Sequence, residues 1–175
     1  MVIIWIYFLV RFSTSKTNSK DKDLAEKLVS GNTNIKYYKT LPNNKVLELL
    51  KNSHIGLLPT YADTYGYSVL EAQAAGCPVI STNIRALPEI NNNEAGWIIE
   101  VPKDKNGNAI LKTPEDRKEL SSIIEQELYR IIKDEIIPNP EIIKKKGEKA
   151  LQRIRQHHNP NDKAQFLENL YKKCL

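Results

Sequence analysis

Two carboxylates and a glycine stand close together in residues 59–90, which read PTYADTYGYSVLEAQAAGCPVISTNIRALPEI. Asp63 lies three residues before Gly66, and Glu71 lies five residues after it. A carboxylate accepts two hydrogen bonds side by side, which suits the vicinal hydroxyls of a ribose or a hexose. Gly66, having no Cβ, lets the backbone approach a ligand closely. Tyr67 and Ser68 follow it and open a helical pattern. A helix start presents free N–H groups and a partial positive charge, which suit a phosphate. A phosphate site flanked by two hydroxyl acceptors describes a sugar-nucleotide site. The same residues also describe an ordinary helix start, where the macrodipole alone favours acids. The residues by themselves leave both readings open.

The elements that must position these groups alternate through the first hundred residues. Residues 2–12 read as a buried strand, 13–20 as a polar loop, and 21–29 as a helix stopped near Gly31. A short strand is expected at residues 34–38. A helix follows with Val46, Leu47, Leu49 and Leu50 on its apolar side, capped by Asn43 or Asn44. Next come a strand at 54–59, a loop at 60–65, a helix at 66–75 ended by Gly76, and a strand at 78–81. A helical turn at 87–91 and a strand at 97–101 complete the alternation. This order predicts an α/β fold, a Rossmann-like parallel sheet with helices on both faces. In such sheets ligands bind beyond the carboxyl ends of the strands, where the loops after residues 59 and 81 both fall.

After a polar loop at 102–114 the pattern is helical only, at 115–137, 141–157 and 162–174. The expected division is a nucleotide-sugar-binding domain over residues 1–137 and a C-terminal helical extension over 138–175, packing on the same domain.

Composition narrows the class. Hydrophobic residues make up 41% of the 175 and charged residues 27%, the mix of a globular protein with a real core. Cys77 and Cys174 have no paired spacing, and His54, His157 and His158 have no ligand-spaced neighbours. That pattern fits a reducing compartment and argues against a disulfide framework or a structural metal. The net charge of +5 sits in residues 141–175, with nine basic residues against four acidic ones. A basic helical tail attracts nucleic acid or an anionic membrane surface, or is simply a solvated face. Only Phe166 and Tyr171 lie among the basic residues, so nucleic acid gains little support as a partner. The apolar run at residues 1–10 lacks the flanks of a signal peptide and is too short to span a membrane.

The stretch also resembles the signature region of the retaining glycosyltransferases of family 4, which have the GT-B architecture. Asp63 and Glu71 are separated by seven residues, and Ala72, Ala74, Ala75, Gly76, Pro78, Val79 and Ile80 follow in register. Pro88, Glu89 and Ile90, then Gly96 and Trp97, continue the pattern. The resemblance implies one half of a GT-B fold, the half that binds the donor. It implies transfer of a hexosyl group, with retention, from a UDP- or GDP-linked sugar to an acceptor hydroxyl, with no metal and no resident cofactor. Carried over residue by residue, Glu71 holds the ribose hydroxyls, and Asp63 stands where the family has a glutamate on the donor sugar. The Gly66 and Tyr67 amides lie near the diphosphate, Thr64 and Tyr65 line the loop, and Ser68 and Val69 sit near the nucleotide.

The chain departs from the family in three ways. Arg85 and Ala86 replace two loop glycines, Lys39 replaces another, and the basic loop that neutralises the diphosphate is not matched by Arg11 or Lys16. The resemblance also implies an N-terminal acceptor domain, or a partner chain, beyond these residues, and a cytoplasmic location at the inner face of a membrane with peripheral contact to it. A nucleotide-binding or assembly module without turnover, and a GT-B sugar-nucleotide epimerase, stay open as alternatives.

Overall fold

The computed structural model describes residues 26–36, 38 and 40–174. The expected strand at 2–12 and loop at 13–20 lie outside the described residues, as do Arg11, Lys16 and Lys39.

Three short strands form one parallel sheet in the order β1–β2–β3: β1 (Gly56–Leu58), β2 (Val79–Thr82) and β3 (Trp97–Ile99). Leu57 pairs with Ile80, and Ser81 with Ile98, which fixes the register across the sheet. All four residues of β2 are buried, so the central strand is covered on both faces, as a parallel sheet requires. Ile55, Leu57, Val69, Val79, Ile80, Leu87, Ile90, Trp97 and Ile99 form the centre of the core.

The helices are α1 (Asn43–Lys51), α2 (Tyr67–Ala74), α3 (Leu87–Ile90), α4 (Pro114–Arg130), α5 (Glu141–His157) and α6 (Pro160–Cys174). Residues 26–30 are also helical, within the helix expected at 21–29 and one residue past it. The N-cap of α1 is Pro42 and not an asparagine. The fixed proline φ of −60° places its carbonyl to accept from Lys45 N and Val46 N. The strand expected at 34–38 is not formed by residues 34–36 and 38. There the Asn34 amide donates to the Asn32 side chain and the Ile35 amide to the Asn32 carbonyl. A local turn therefore takes the amides that a ladder needs.

Helix α2 ends as the sequence predicts. Gly76 has φ 78°, its amide donates to Gln73 O, and the Cys77 amide donates to Ala72 O. These two bonds are the Schellman closure. The glycine pair Gly76–Gly147 then sets how closely α5 lies on α2. A Cβ on Gly147 would fall 2.4 Å from the Gly76 carbonyl oxygen.

Helix α4 begins with a capping box, in which Thr113 and Asp116 satisfy each other's amides. The single helix expected at 115–137 instead widens into a π-helical stretch at Ile131–Ile136. The wider turn lets Ile131 and Ile136, five residues apart, both reach the core. It also brings Glu135 Oε2 to Trp97 Nε1 at 3.0 Å.

The C-terminal tail divides in two. Helix α5 buries Ile143, Lys146, Gly147 and Ala150, whereas α6 buries nothing, and its Phe166, Leu167, Leu170 and Tyr171 are exposed. Among the described residues, no helix is long and apolar enough to cross a membrane.

Candidate functional site

The loops that follow the three strands meet at the carboxyl end of the sheet. Thr60, just past β1, is tied to β2 by a hydrogen bond of 2.8 Å from Thr82 Oγ1 to its carbonyl. Its own hydroxyl closes a small turn with Ala62. Asp63 Oδ1 accepts from the Tyr65 amide at 2.9 Å, so the acid shapes its own loop and leaves Oδ2 for other contacts. Tyr65 and Tyr67 are exposed and face each other, with ring centroids 5.0 Å apart. Thr64 is exposed between them and Asp63.

Gly66 is the N-cap of α2, in the left-handed conformation at φ 85°, ψ 39°, and offers no side chain to cap the helix. Its carbonyl accepts from the amides of Val69 and Leu70. The amides of Tyr67 and Ser68 have no acceptor among the described residues. Free amides at a helix start are an anion site in waiting. Glu71 lies one turn further along α2, half-buried, and like Asp63 forms no ion pair among the described residues. The structure thus brings Asp63, Tyr67, Ser68 and Glu71 onto one loop-to-helix junction.

Two of the expected site residues are held by packing within the domain. Gly66 faces α3. It is buried, and a Cβ there would lie 2.6 Å from both Leu87 Cδ2 and Ile90 Cδ1. The glycine is required because α3 packs directly onto the turn. The Val69 side chain is fully buried in the core, and its amide donates to Gly66 O. An apolar residue two places into a helix over a sheet faces inward, and the local pattern alone did not separate that from a ligand contact.

Sequence reasoning missed how the loops after β2 and β3 are bound together. The Arg85 amide donates to Gly107 O at 2.8 Å, and its Nε donates to Asn108 Oδ1 at 2.7 Å. Asn83 joins the same edge, donating to Glu100 and accepting from the Val101 amide at 3.0 Å. Nothing local in the sequence signals these pairs, which lie 17 to 23 residues apart. Beneath the site, buried Asn91 donates through Nδ2 to Val79 O, Ser81 Oγ and Trp97 O, and Gln73 Nε2 donates to Ile90 O. This polar layer ties the end of α3 to β2, β3 and α2. A separate cavity of about 260 Å³ opens at the other end of the sheet, before β3, where Asn92 and Glu94 face Lys149, Arg153 and His157.

The candidate site is therefore a helix start with an acid on either side of it, at the carboxyl edge of a parallel α/β domain. The sequence matches the family described as Glycosyl transferases group 1 over residues 15–130, and the chain belongs to that family. Among solved structures it is similar to the sucrose-phosphate synthase from Thermosynechococcus elongatus, at 17% identity and a TM-score of 0.60, over 93% of this chain. It is also similar to TarM, at 20% identity and a TM-score of 0.51, over 89% of this chain. Both likenesses are of fold, and the fold they share with this chain is that of the GT-B glycosyltransferases. The chain spans 36% of the length of the first and 27% of the second. Comparison with curated proteins gave no significant match.

Proposed function

We propose that residues 63–71 form the donor site of a sugar-nucleotide-dependent glycosyltransferase. The glycosyl group passes from a UDP- or GDP-linked sugar to an acceptor hydroxyl with retention. The bond from the anomeric carbon to the diphosphate oxygen breaks, a bond from that carbon to the acceptor oxygen forms, and the hydroxyl proton leaves with the diphosphate. The Tyr67 and Ser68 amides receive the diphosphate, whose charge grows as the sugar leaves. Hydrogen-bond donors already aimed at that charge lower the barrier most. Glu71 accepts from the ribose hydroxyls, and Asp63, through the oxygen its own loop does not use, accepts from a sugar hydroxyl. An acceptor-binding domain or partner chain completes the cleft, and peripheral contact with a membrane would supply a lipid-linked acceptor.

The observation that carries this reading is the uncapped start of α2. Its first two amides have no acceptor among the described residues, and unpaired carboxylates stand before and after them. Calorimetry with UDP and GDP tests it. Hydrogen bonds to a charged group contribute about 1.5–3 kcal/mol, so Glu71→Ala should weaken nucleotide binding by about tenfold or more. Equal affinity in wild type and Glu71→Ala removes the ribose role, and no binding of either nucleotide at millimolar concentration removes the donor site.

A further inference from the structure

The loop after β2 holds a bulky residue where the backbone disfavours one. Arg85 has φ 45°, and among the described residues it is the non-glycine with positive φ. That region crowds Cβ against the backbone. Residues kept there are over-determined by their surroundings and cluster at ligand sites. The surroundings of Arg85 do over-determine it. Its amide is bonded to Gly107 O at 2.8 Å, and Gly107, itself at φ 77°, lies in van der Waals contact with the Arg85 backbone. Its Nε donates to Asn108 Oδ1 at 2.7 Å. Asn108 is fixed in turn by Asp104, with its amide 2.9 Å from Oδ1 and its Nδ2 3.2 Å from Oδ2. The Asp104 carboxylate also accepts from the Asn106 amide, so it serves the loop and forms no ion pair with Arg85.

The result is a guanidinium clamped at Nε. Nη1 and Nη2 form no hydrogen bond or ion pair among the described residues, and the residue is exposed. A pre-aimed guanidinium with free NH₂ groups is a fork for a planar oxyanion. Its place is also telling. Arg85 stands at the carboxyl edge of β2, two residues before Leu87, whose Cδ2 covers the Gly66 turn. A loop staple would need neither the free fork nor the left-handed backbone.

We infer that Arg85 is a substrate-binding residue whose guanidinium, aimed by Asn108, holds a phosphate or carboxylate oxyanion at this edge of the sheet. The inference rests on the donor-site reading only for which substrate carries that anion.

The test follows the Arg85 Nε–H signal by NMR while inorganic pyrophosphate, UDP or glucuronate is added to the full chain, and measures affinity for the responding anion in Arg85→Lys and Arg85→Gly. A response to pyrophosphate and UDP identifies a phosphate. A response to glucuronate identifies an acidic sugar. Silence to all three at millimolar concentration overturns the proposal. Loss of the fork should weaken the responding anion roughly tenfold in Arg85→Gly, with Arg85→Lys between. Because glycine suits φ 45°, the same variant should keep its fold and unfold at a midpoint no lower than wild type. Unchanged anion affinity in Arg85→Gly overturns the proposal whatever its midpoint. If neither UDP nor GDP binds at millimolar concentration while Arg85 still answers pyrophosphate, the donor reading fails and Arg85 stands. If Glu71 matters and Arg85 stays silent, the outcome is reversed.

Discussion

Replacing Gly66 by alanine should remove a large share of this domain's stability, for two separable reasons. The first is the backbone: at φ 85° an L residue pays the left-handed penalty of about 1–2 kcal/mol. The second is space. The new methyl would sit 2.6 Å from Leu87 Cδ2 and 2.6 Å from Ile90 Cδ1. Both are ends of side chains, which normally yield. Here Leu87 is 1% exposed and Ile90 is 3% exposed, so neither has open space to move into. Overpacking of this kind costs about 1–3 kcal/mol. Together the two effects reach about 2–5 kcal/mol, against a total stability of about 5–15 kcal/mol for a typical domain. Urea unfolding reads the change as a lower midpoint at unchanged slope. A loss under about 0.5 kcal/mol, the range of an ordinary surface substitution, would refute the reasoning. It would mean that the turn is not left-handed or that α3 does not cover it. Both costs arise from backbone and packing within the domain, so the loss should appear without any nucleotide present.

Two titratable groups far from the site give further checks. Burial pushes the Cys77 thiol up to about 12, opposed only by a hydrogen bond from the Gly56 backbone, while Cys174 is exposed. A thiol reagent at pH 8 should therefore modify one cysteine per folded chain and two in denaturant, since the thiolate is the reactive form; two in the folded state would show that Cys77 is not buried. Burial also lowers the Lys146 pKa from 10.5, partly offset by Glu135 and Glu94. Its ammonium donates to Asn93 O and Gly96 O and lies 4.8 Å from the Trp97 ring centroid. The unfolded chain binds this proton more tightly, so the charge on Lys146, relative to its neutral form, disfavours folding at neutral pH. That cost fades as pH rises from the lowered native value through 10.5. Wild-type stability relative to Lys146→Met should accordingly rise across that window, and a flat or falling difference would contradict the burial.

What was legible in the sequence was local. The alternation of apolar runs with helix patterns implied a parallel sheet, because period and turn residues are properties of a few neighbours. The end of α2 at Gly76 and the glutamate one turn into that helix were legible for the same reason. So was the family likeness, since seven residues between two acids on a strand–loop–helix unit is a spacing along the chain. The strand expected at 34–38 failed because the Asn32 side chain offered its own turn, a local competitor that apolar count overlooks.

Only the tertiary structure decided why Gly66 must be glycine, since Leu87 and Ile90 reach it from over twenty residues away. It buried the Val69 side chain in the core, because which face of α2 meets the sheet depends on how α1 and α5 pack on that helix. It also revealed the Arg85–Asn108–Asp104 chain of hydrogen bonds, closed between two loops that are neighbours only after the strands pair. Hydrogen bonds and van der Waals contacts act over a few ångströms, so a chain alone shows those between near neighbours. The fold determines the others by bringing distant segments together.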